Sequence, residues 1–202
     1  MALAKKLDQL GVFIREDFLP PSLCEYVCRE IDAGAIGDGD VWSQGYGLNV
    51  REEVKRRKEV SYSADTKPEL HRLLFEVSHE LSERFQVELR QIQPLKFTRY
   101  DPGDFYKPHR DIVDDPDAPE LIRSRKLAVT LFLNQQGDEP SEGDYCGGSL
   151  TFYGLVEDPA WVGIGIPLDS ESGMMVAFRP DIVHEVTPIT HGRRYAITTW
   201  FA

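Results

Sequence analysis

From about residue 89 to the end of this 202-residue chain, apolar side chains recur at every second position in short segments. A period of two is the repeat of an extended strand with one buried face. The segments fall at 95–100, 106–110, 126–134, 149–153, 173–178, 184–186 and 194–201. Turn chemistry separates them, at Asp101-Pro102-Gly103, Gly147-Gly148, Arg179-Pro180-Asp181 and His191-Gly192. No long helical pattern lies among them. Many short strands in succession predict a β-sandwich or barrel and argue against an alternating βαβ sheet.

The first third reads mostly helical. Pro20, Pro21 and Ser22 precede Leu23, Tyr26, Val27 and Ile31, which repeat near the helical period and predict a helix over 21–32. A short strand is expected at 11–14. Leu70, Leu73, Leu74, Val77, Leu81 and Phe85 share one face of a second helix over 67–85, with Pro68 in its first turn. His71 and His79 fall in this helix and read as surface residues, His79 with Glu83 one turn on. Residues 34–47, rich in Gly, Asp and Ser, predict a loop. Residues 49–61 carry eight charges of mixed sign and predict a solvated loop or short helix. The expected organisation is a single domain over 1–202. In it, 1–93 supply an N-terminal helical layer and a lid loop, and 94–202 supply a mainly β core.

Charge narrows the partners. The net charge is −11, and no long Lys/Arg run offsets it. Nonspecific binding to nucleic acid or to an anionic membrane is not expected of such a chain. No run of about 18 apolar residues is present, so no transmembrane helix is expected. Residues 1–10 lack the apolar core of a signal peptide. Cys24, Cys28 and Cys146 do not make a disulfide framework, and Cys24 and Cys28 read as helix packing. A cytoplasmic location is the corresponding expectation.

The chemistry-bearing residues stand inside the period-two region. His109 and Asp111 are two apart on an extended segment, so both side chains leave the same face. His184 lies 73 residues beyond Asp111, just after a Pro-containing turn. Two imidazoles and a carboxylate fill three vertices of an octahedron and leave three open, as in non-haem Fe(II) oxygenases. Zinc is the competing metal, although the chain has no paired-His helical zinc motif. Arg193 and Arg194 follow nine and ten residues after His184. Alternation turns one of them inward, where a guanidinium can pair with a carboxylate.

These motifs, in this order, resemble those of the prolyl 4-hydroxylase branch of the Fe(II)/2-oxoglutarate dioxygenases. The resemblance covers about residues 95–201. It rests on Tyr100-Asp101-Pro102-Gly103, on Tyr106 with His109 and Asp111, and on Leu131-Phe132-Leu133-Asn134. Gly147-Gly148, His184 with Pro188 and Ile189, Gly192 with Arg194, and Trp200 continue it. It implies a double-stranded β-helix (jelly-roll or cupin-like) core with the N-terminal helices packed on one sheet. It implies Fe(II) on His109, Asp111 and His184, with 2-oxoglutarate and O2 as cosubstrates and ascorbate as a further candidate. Arg194 would pair with the distal carboxylate of 2-oxoglutarate, assisted by Thr198, with Tyr100 lining its pocket. Tyr106, Arg125 and Trp200 match the substrate end. Where many relatives carry a Tyr that donates to the cosubstrate, this chain has Phe132, and Thr130 could supply that bond. A lid role for 49–63, through Arg51, Arg56 and Arg57, competes with the solvated-loop reading.

The expected activity is hydroxylation of an unactivated C–H, of prolyl 4-hydroxylase type, on a protein, a peptide or free proline. The alternatives are hydroxylation of a small natural product or amino acid, nucleic-acid demethylation and a non-enzymatic metal-binding barrel. The demethylases that resemble this pattern place a second Arg six residues after the cosubstrate Arg, where this chain has Trp200. The oligomeric state is left open.

Overall fold

The computed structural model describes residues 2–38, 41–43, 47–49, 51–61, 66–161 and 163–202. Helix α1 (Ala2–Gln9) leads into strand β1 (Phe13–Arg15) and helix α2 (Pro21–Ala33). Five short strands follow: β2 (Ala35–Asp38), β3 (Val41–Ser43), β4 (Gly47–Asn49), β5 (Lys55–Arg56) and β6 (Lys58–Ser61). Helix α3 (Lys67–Phe85) comes next, then β7 (Lys96–Tyr100), β8 (Phe105–His109) and the single-turn helix α4 (Glu120–Arg123). The chain ends with β9 (Leu127–Phe132), β10 (Tyr145–Gly147), β11 (Leu150–Tyr153), β12 (Ile166–Leu168), β13 (Met175–Phe178), β14 (Val183–Val186), β15 (Ile189–Gly192) and β16 (Arg194–Phe201).

Two sheets carry the core. The larger has seven strands in the order β1-β13-β9-β16-β7-β6-β2, and the smaller has five in the order β12-β11-β14-β8-β5. All their pairings are antiparallel. The period-two pattern sorts the side chains of the larger sheet between two layers. Val129, Leu131, Met175, Ile197 and Phe201 face outward and pack against Cys24, Val27 and Ile31 of α2 and Leu70, Leu74, Val77 and Leu81 of α3. Ala128, Phe132, Val176, Phe178 and Trp200 face inward, against Leu150, Phe152 and Leu168 of the smaller sheet. The result is a mainly β, double-stranded β-helix core with α2 and α3 on the outer face of one sheet. Leu7 of α1 packs with the inner cluster and not with the helical layer.

The helices follow from sequence in the expected way. Helices α2 and α3 each have Pro in the first turn, where the missing N–H costs nothing. The α3 helix stops at Gln86, which adopts φ 54 in the left-handed region and donates its N–H to the Ser82 carbonyl.

The charged stretch departs from expectation. Residues 55–61 are strands, not a solvated loop or helix. β5 pairs with β8 at the edge of the smaller sheet, and β6 pairs with β7 in the larger one. This segment therefore crosses from one sheet to the other and closes one side of the sandwich. Lys55 is 3% exposed and Arg57 9%, whereas Arg56 is exposed. Part of 34–47 is likewise extended, in β2, β3 and β4; residues 39–40 and 44–46 lie outside the described residues.

Gly192 ends β15 at φ 69, opposite Tyr145 of β10. A Cβ there would overlap the Asp144 carbonyl oxygen. Gly192→Ala is expected to cost roughly 1–3 kcal/mol from backbone strain alone and more from the clash. A drop in the urea midpoint with an unchanged slope checks it, and a wild-type midpoint would contradict it.

Candidate active site

β8 and β14 pair so that His109 stands opposite His184. That one register brings together two imidazoles far apart in sequence, with ring centroids 4.2 Å apart. Asp111 lies just past the end of β8, and its N–H donates to the Pro180 carbonyl at 2.8 Å. Its carboxylate then sits between the rings, 3.6 Å from His109 Nε2 and 3.7 Å from His184 Nε2. One ligand atom from each of the three lies within 4.8 Å of the others, a spacing that could hold one metal ion.

The orientation of each ligand is set by a second group. The Nδ1 of His109 is 2.8 Å from the Lys107 carbonyl, and that of His184 is 2.9 Å from the Ile182 carbonyl. A carbonyl only accepts, so Nδ1 carries the proton and donates, leaving each Nε2 lone pair facing the centre. Trp200 Nε1 donates to Asp111 Oδ2 at 2.9 Å. Arg125 donates to the Asp111 carbonyl at 2.7 Å and stacks 3.6 Å above the Trp200 ring. Burial opposes the Asp111 charge, but His184 and His109 beside it hold the carboxyl well below the usual range. Burial, then the neighbouring His109, brings His184 down to about 4, so its imidazole is neutral at pH 7. A neutral imidazole and an ionised carboxylate are the forms that bind a metal.

Arg194 starts β16 opposite Tyr100 of β7. It is 2% exposed, with its guanidinium 5.1 Å from the Tyr100 ring and 5.0 Å from the Phe132 ring. Its Nε is buried without a hydrogen-bond partner. Such a group is costly unless a ligand completes it. Gly148 makes room for it, since a Cβ there would stand 3.2 Å from Arg194 Cδ and overlap Ile189. Arg193, on the opposite face, is half exposed and pairs with Asp32 and Asp101. Thr130 and Thr198 are cross-strand partners one step along the same wall.

One pocket between the sheets collects all ten residues singled out by sequence: Tyr100, Tyr106, His109, Asp111, Arg125, Thr130, His184, Arg194, Thr198 and Trp200. Its volume of about 110 Å³ has room for a small acid. Tyr106 stacks on His109 with centroids 3.5 Å apart. Sequence reasoning missed Lys55 and Lys96, which also line the pocket. It also missed Tyr145, fully buried, whose hydroxyl hydrogen-bonds Ser170 Oγ at 2.5 Å. Of the three arginines named for a lid, only Arg57 reaches the pocket; Arg51 pairs with Glu53, and Arg56 lies over Phe105. His71 and His79 are exposed and do not line this pocket, with His79 3.8 Å from Glu83.

A jelly roll with a two-His, one-carboxylate cluster and a buried guanidinium whose Nε has no partner defines a class of metal-dependent oxoacid-using enzymes. The pattern described as the 2OG-Fe(II) oxygenase superfamily matches residues 95–202, more than half of the chain, and the chain belongs to that superfamily. A PKHD-type hydroxylase of Nitrobacter winogradskyi is 29% identical over 164 residues, covering 79% of this chain and 66% of that protein. One from Pseudoalteromonas atlantica is 31% identical over 115 residues, 54% of this chain and 43% of that protein. The chain thus spans less than two thirds of the length of either relative. Among solved structures, a Pseudomonas putida prolyl-4-hydroxylase superposes with TM-score 0.70 at 23% identity, over 99% of this chain and 96% of that one. A Trichoplax adhaerens prolyl hydroxylase, solved with a hypoxia inducible factor peptide fragment, gives 0.69 at 20% identity, over 98% and 86%. At these identities the likeness is one of fold. Membership implies Fe(II), 2-oxoglutarate and O2 as cofactor and cosubstrates. The residues present fit them: the donor set suits a divalent iron, and the partnerless Arg194 Nε lies in the same pocket. Among the described residues, no helix is long and apolar enough to cross a membrane.

Burial, and then Arg57 beside it, brings Lys55 down to about 7. In the unfolded chain its proton is held to about pH 10.4. The unfolded state therefore binds more protons between about pH 7 and pH 10, and this group's contribution to stability rises with pH across that window. Lys55→Met removes the dependence. The stability difference, wild type minus variant, is expected to increase between about pH 7 and pH 10 in urea titrations. A constant difference would contradict the burial of a charged Lys55.

Proposed function

We propose that this chain is a prolyl hydroxylase-type oxygenase acting on proline in a peptide or protein, with residues 1–202 serving as one catalytic unit in the cytoplasm. The observation that carries the reading is the buried Arg194 guanidinium, aimed into the pocket that holds His109, Asp111 and His184 and lacking a partner at Nε. The kinship to PKHD-type hydroxylases and the fold of the prolyl hydroxylases support the choice of substrate class. The free Cys24, Cys28 and Cys146 agree with a reducing compartment.

Each residue has a role in this reading. His109 and His184 hold the iron through Nε2, and their Nδ1–H bonds to backbone carbonyls keep the rings from turning. Asp111 supplies the third ligand, and Trp200 fixes its second oxygen. When bound, iron with 2-oxoglutarate and O2 supplies the oxidising power, and the cosubstrate leaves as succinate and CO2. Arg194 pairs with the distal carboxylate of the cosubstrate, and Thr130 and Thr198 offer hydroxyl donors beside it. Phe132 provides a ring face where a phenol would donate, so Arg194 carries more of the binding than it would beside a tyrosine. Tyr100, Leu150 and Val186 keep water from the cosubstrate. Tyr106, Arg125 and Trp200 form the wall on which the substrate rests.

Arg194→Met should weaken 2-oxoglutarate binding by ~2–5 kcal/mol, about 30-fold to several thousand-fold, because it strands a buried carboxylate. Anaerobic calorimetry on iron-loaded protein measures it. In parallel, wild type should add one oxygen atom to a proline-containing peptide for each succinate formed, read by mass spectrometry. Unchanged affinity in Arg194→Met, or no oxygen added to any proline-containing probe, would overturn the reading.

A further inference from the structure

Three aromatic side chains surround the Arg194 guanidinium, and they differ in what they offer it. Phe132 offers a ring, 5.0 Å away. Tyr100 also offers a ring, at 5.1 Å, while its Oη accepts from Arg57 Nη1 at 3.2 Å. Tyr145 of β10 offers a hydroxyl. Burial pushes this hydroxyl up, and the Arg194 charge and hydrogen bonds with Ser170 and Arg194 work the other way without overcoming it. Tyr145 is therefore a neutral phenol at pH 7. A guanidinium only donates, so the phenol oxygen accepts from Arg194. Its own proton is then available to Ser170 Oγ, 2.5 Å away.

The backbone brings these three residues together. β10 pairs with β15 so that Tyr145 stands opposite Gly192, two residues before Arg194. Gly148 lets the ring and the arginine stem approach: a Cβ there would lie 3.2 Å from Tyr145 Cε2 and 3.2 Å from Arg194 Cδ. Ser170 and Tyr145 are tied to the same two residues. The Ser170 carbonyl accepts from the Gln136 N–H at 3.1 Å, and the Tyr145 N–H donates to the Gln135 carbonyl at 3.1 Å. Both side chains are fully buried. Arg194 lines the pocket and Tyr145 does not, so a ligand there meets the guanidinium and not the phenol. A tyrosine serving only to fill the core would be satisfied by Ser170 alone. This one also accepts from a buried cation.

We propose that Tyr145, anchored by Ser170, is the positioning residue of the cosubstrate clamp. By accepting from one edge of the guanidinium, its hydroxyl holds Arg194 in one orientation, with other N–H donors turned to the pocket. The phenol does not itself reach the cosubstrate. Its effect is confined to what Arg194 binds, so it sets the preference for an oxoacid with a distal carboxylate over one without. The inference rests on the reading of Arg194 as the partner of 2-oxoglutarate. It adds that this arginine works at full strength only with Tyr145 behind it.

Binding tests this without turnover. Iron-loaded, full-length protein is titrated anaerobically, by calorimetry, with 2-oxoglutarate and with 2-oxopentanoate, which carries a methyl group in place of the distal carboxylate. Tyr145→Phe keeps the ring. It is expected to weaken 2-oxoglutarate about fivefold or more and to leave 2-oxopentanoate within about twofold of wild type. Ser170→Ala releases the anchor and should give a smaller loss with the same selectivity; it carries the comparison if Tyr145→Phe does not fold. In an Arg194→Met background, Tyr145→Phe should weaken 2-oxoglutarate no further, because it acts through the arginine. That double variant decides the matter if 2-oxopentanoate binds too weakly to titrate. Wild-type affinity for 2-oxoglutarate in both single variants overturns the proposal. So does an equal loss for the two acids, which is what a merely structural role would give, or a full further loss in the Arg194→Met background. Failure of wild type to bind 2-oxoglutarate, or unchanged binding in Arg194→Met, would instead remove the reading of the clamp beneath it.

Discussion

The antiparallel register of β8 on β14 is the constraint from which the site follows. Strand side chains alternate, so pairing His109 with His184 fixes both imidazoles on the pocket face at once. Asp111 is placed by what comes next, the N–H bond to Pro180 just beyond the strand. A slip of β8 by one residue would turn His109 to the other face and part it from His184. The geometry of the candidate metal site is therefore a consequence of strand pairing.

Electrostatics then divides the cavity. Asp111 and the two imidazoles make one end suited to a cation. Arg194 at the start of β16 makes a second position suited to an anion. Burying guanidinium groups in an interior with unpaired nitrogens is unfavourable for stability. That cost is consistent with a chain whose pocket is completed only by what binds there.

Much of this was legible before the fold was known, and the parts that were not share a physical cause. The 67–85 helix and the 194–201 strand have the predicted bounds, because long apolar stripes with unbroken period leave no competing arrangement. The strands β10, β12 and β15 escaped notice: each is short and contains Gly or Pro, which reads as a turn, as His191-Gly192 did. The stretch 55–59 misled for another reason. Charge implies solvent when residues are taken singly, and the partners that let Lys55 and Arg57 be buried come from pairing with β8 and from Glu59. A signal was present in the alternation itself, since Lys55, Arg57 and Glu59 point inward and Arg56 points out. For the active site the motif order was enough to choose Arg194 over Arg193, and burial agrees with that choice. Phe132 stands beside this arginine, its ring 5.0 Å from the guanidinium.

The central claim is that one metal ion binds between His109, Asp111 and His184 with the cosubstrate held by Arg194. Crystals grown anaerobically with Fe(II) and 2-oxoglutarate, measured at the iron absorption edge, test it most directly. The account predicts a single strong anomalous peak at coordination distance from Nε2 of both histidines and one Asp111 oxygen. It also predicts the far carboxylate of 2-oxoglutarate in contact with the Arg194 guanidinium. Metal bound elsewhere, or 2-oxoglutarate seated with Arg194 still unpaired, would contradict it.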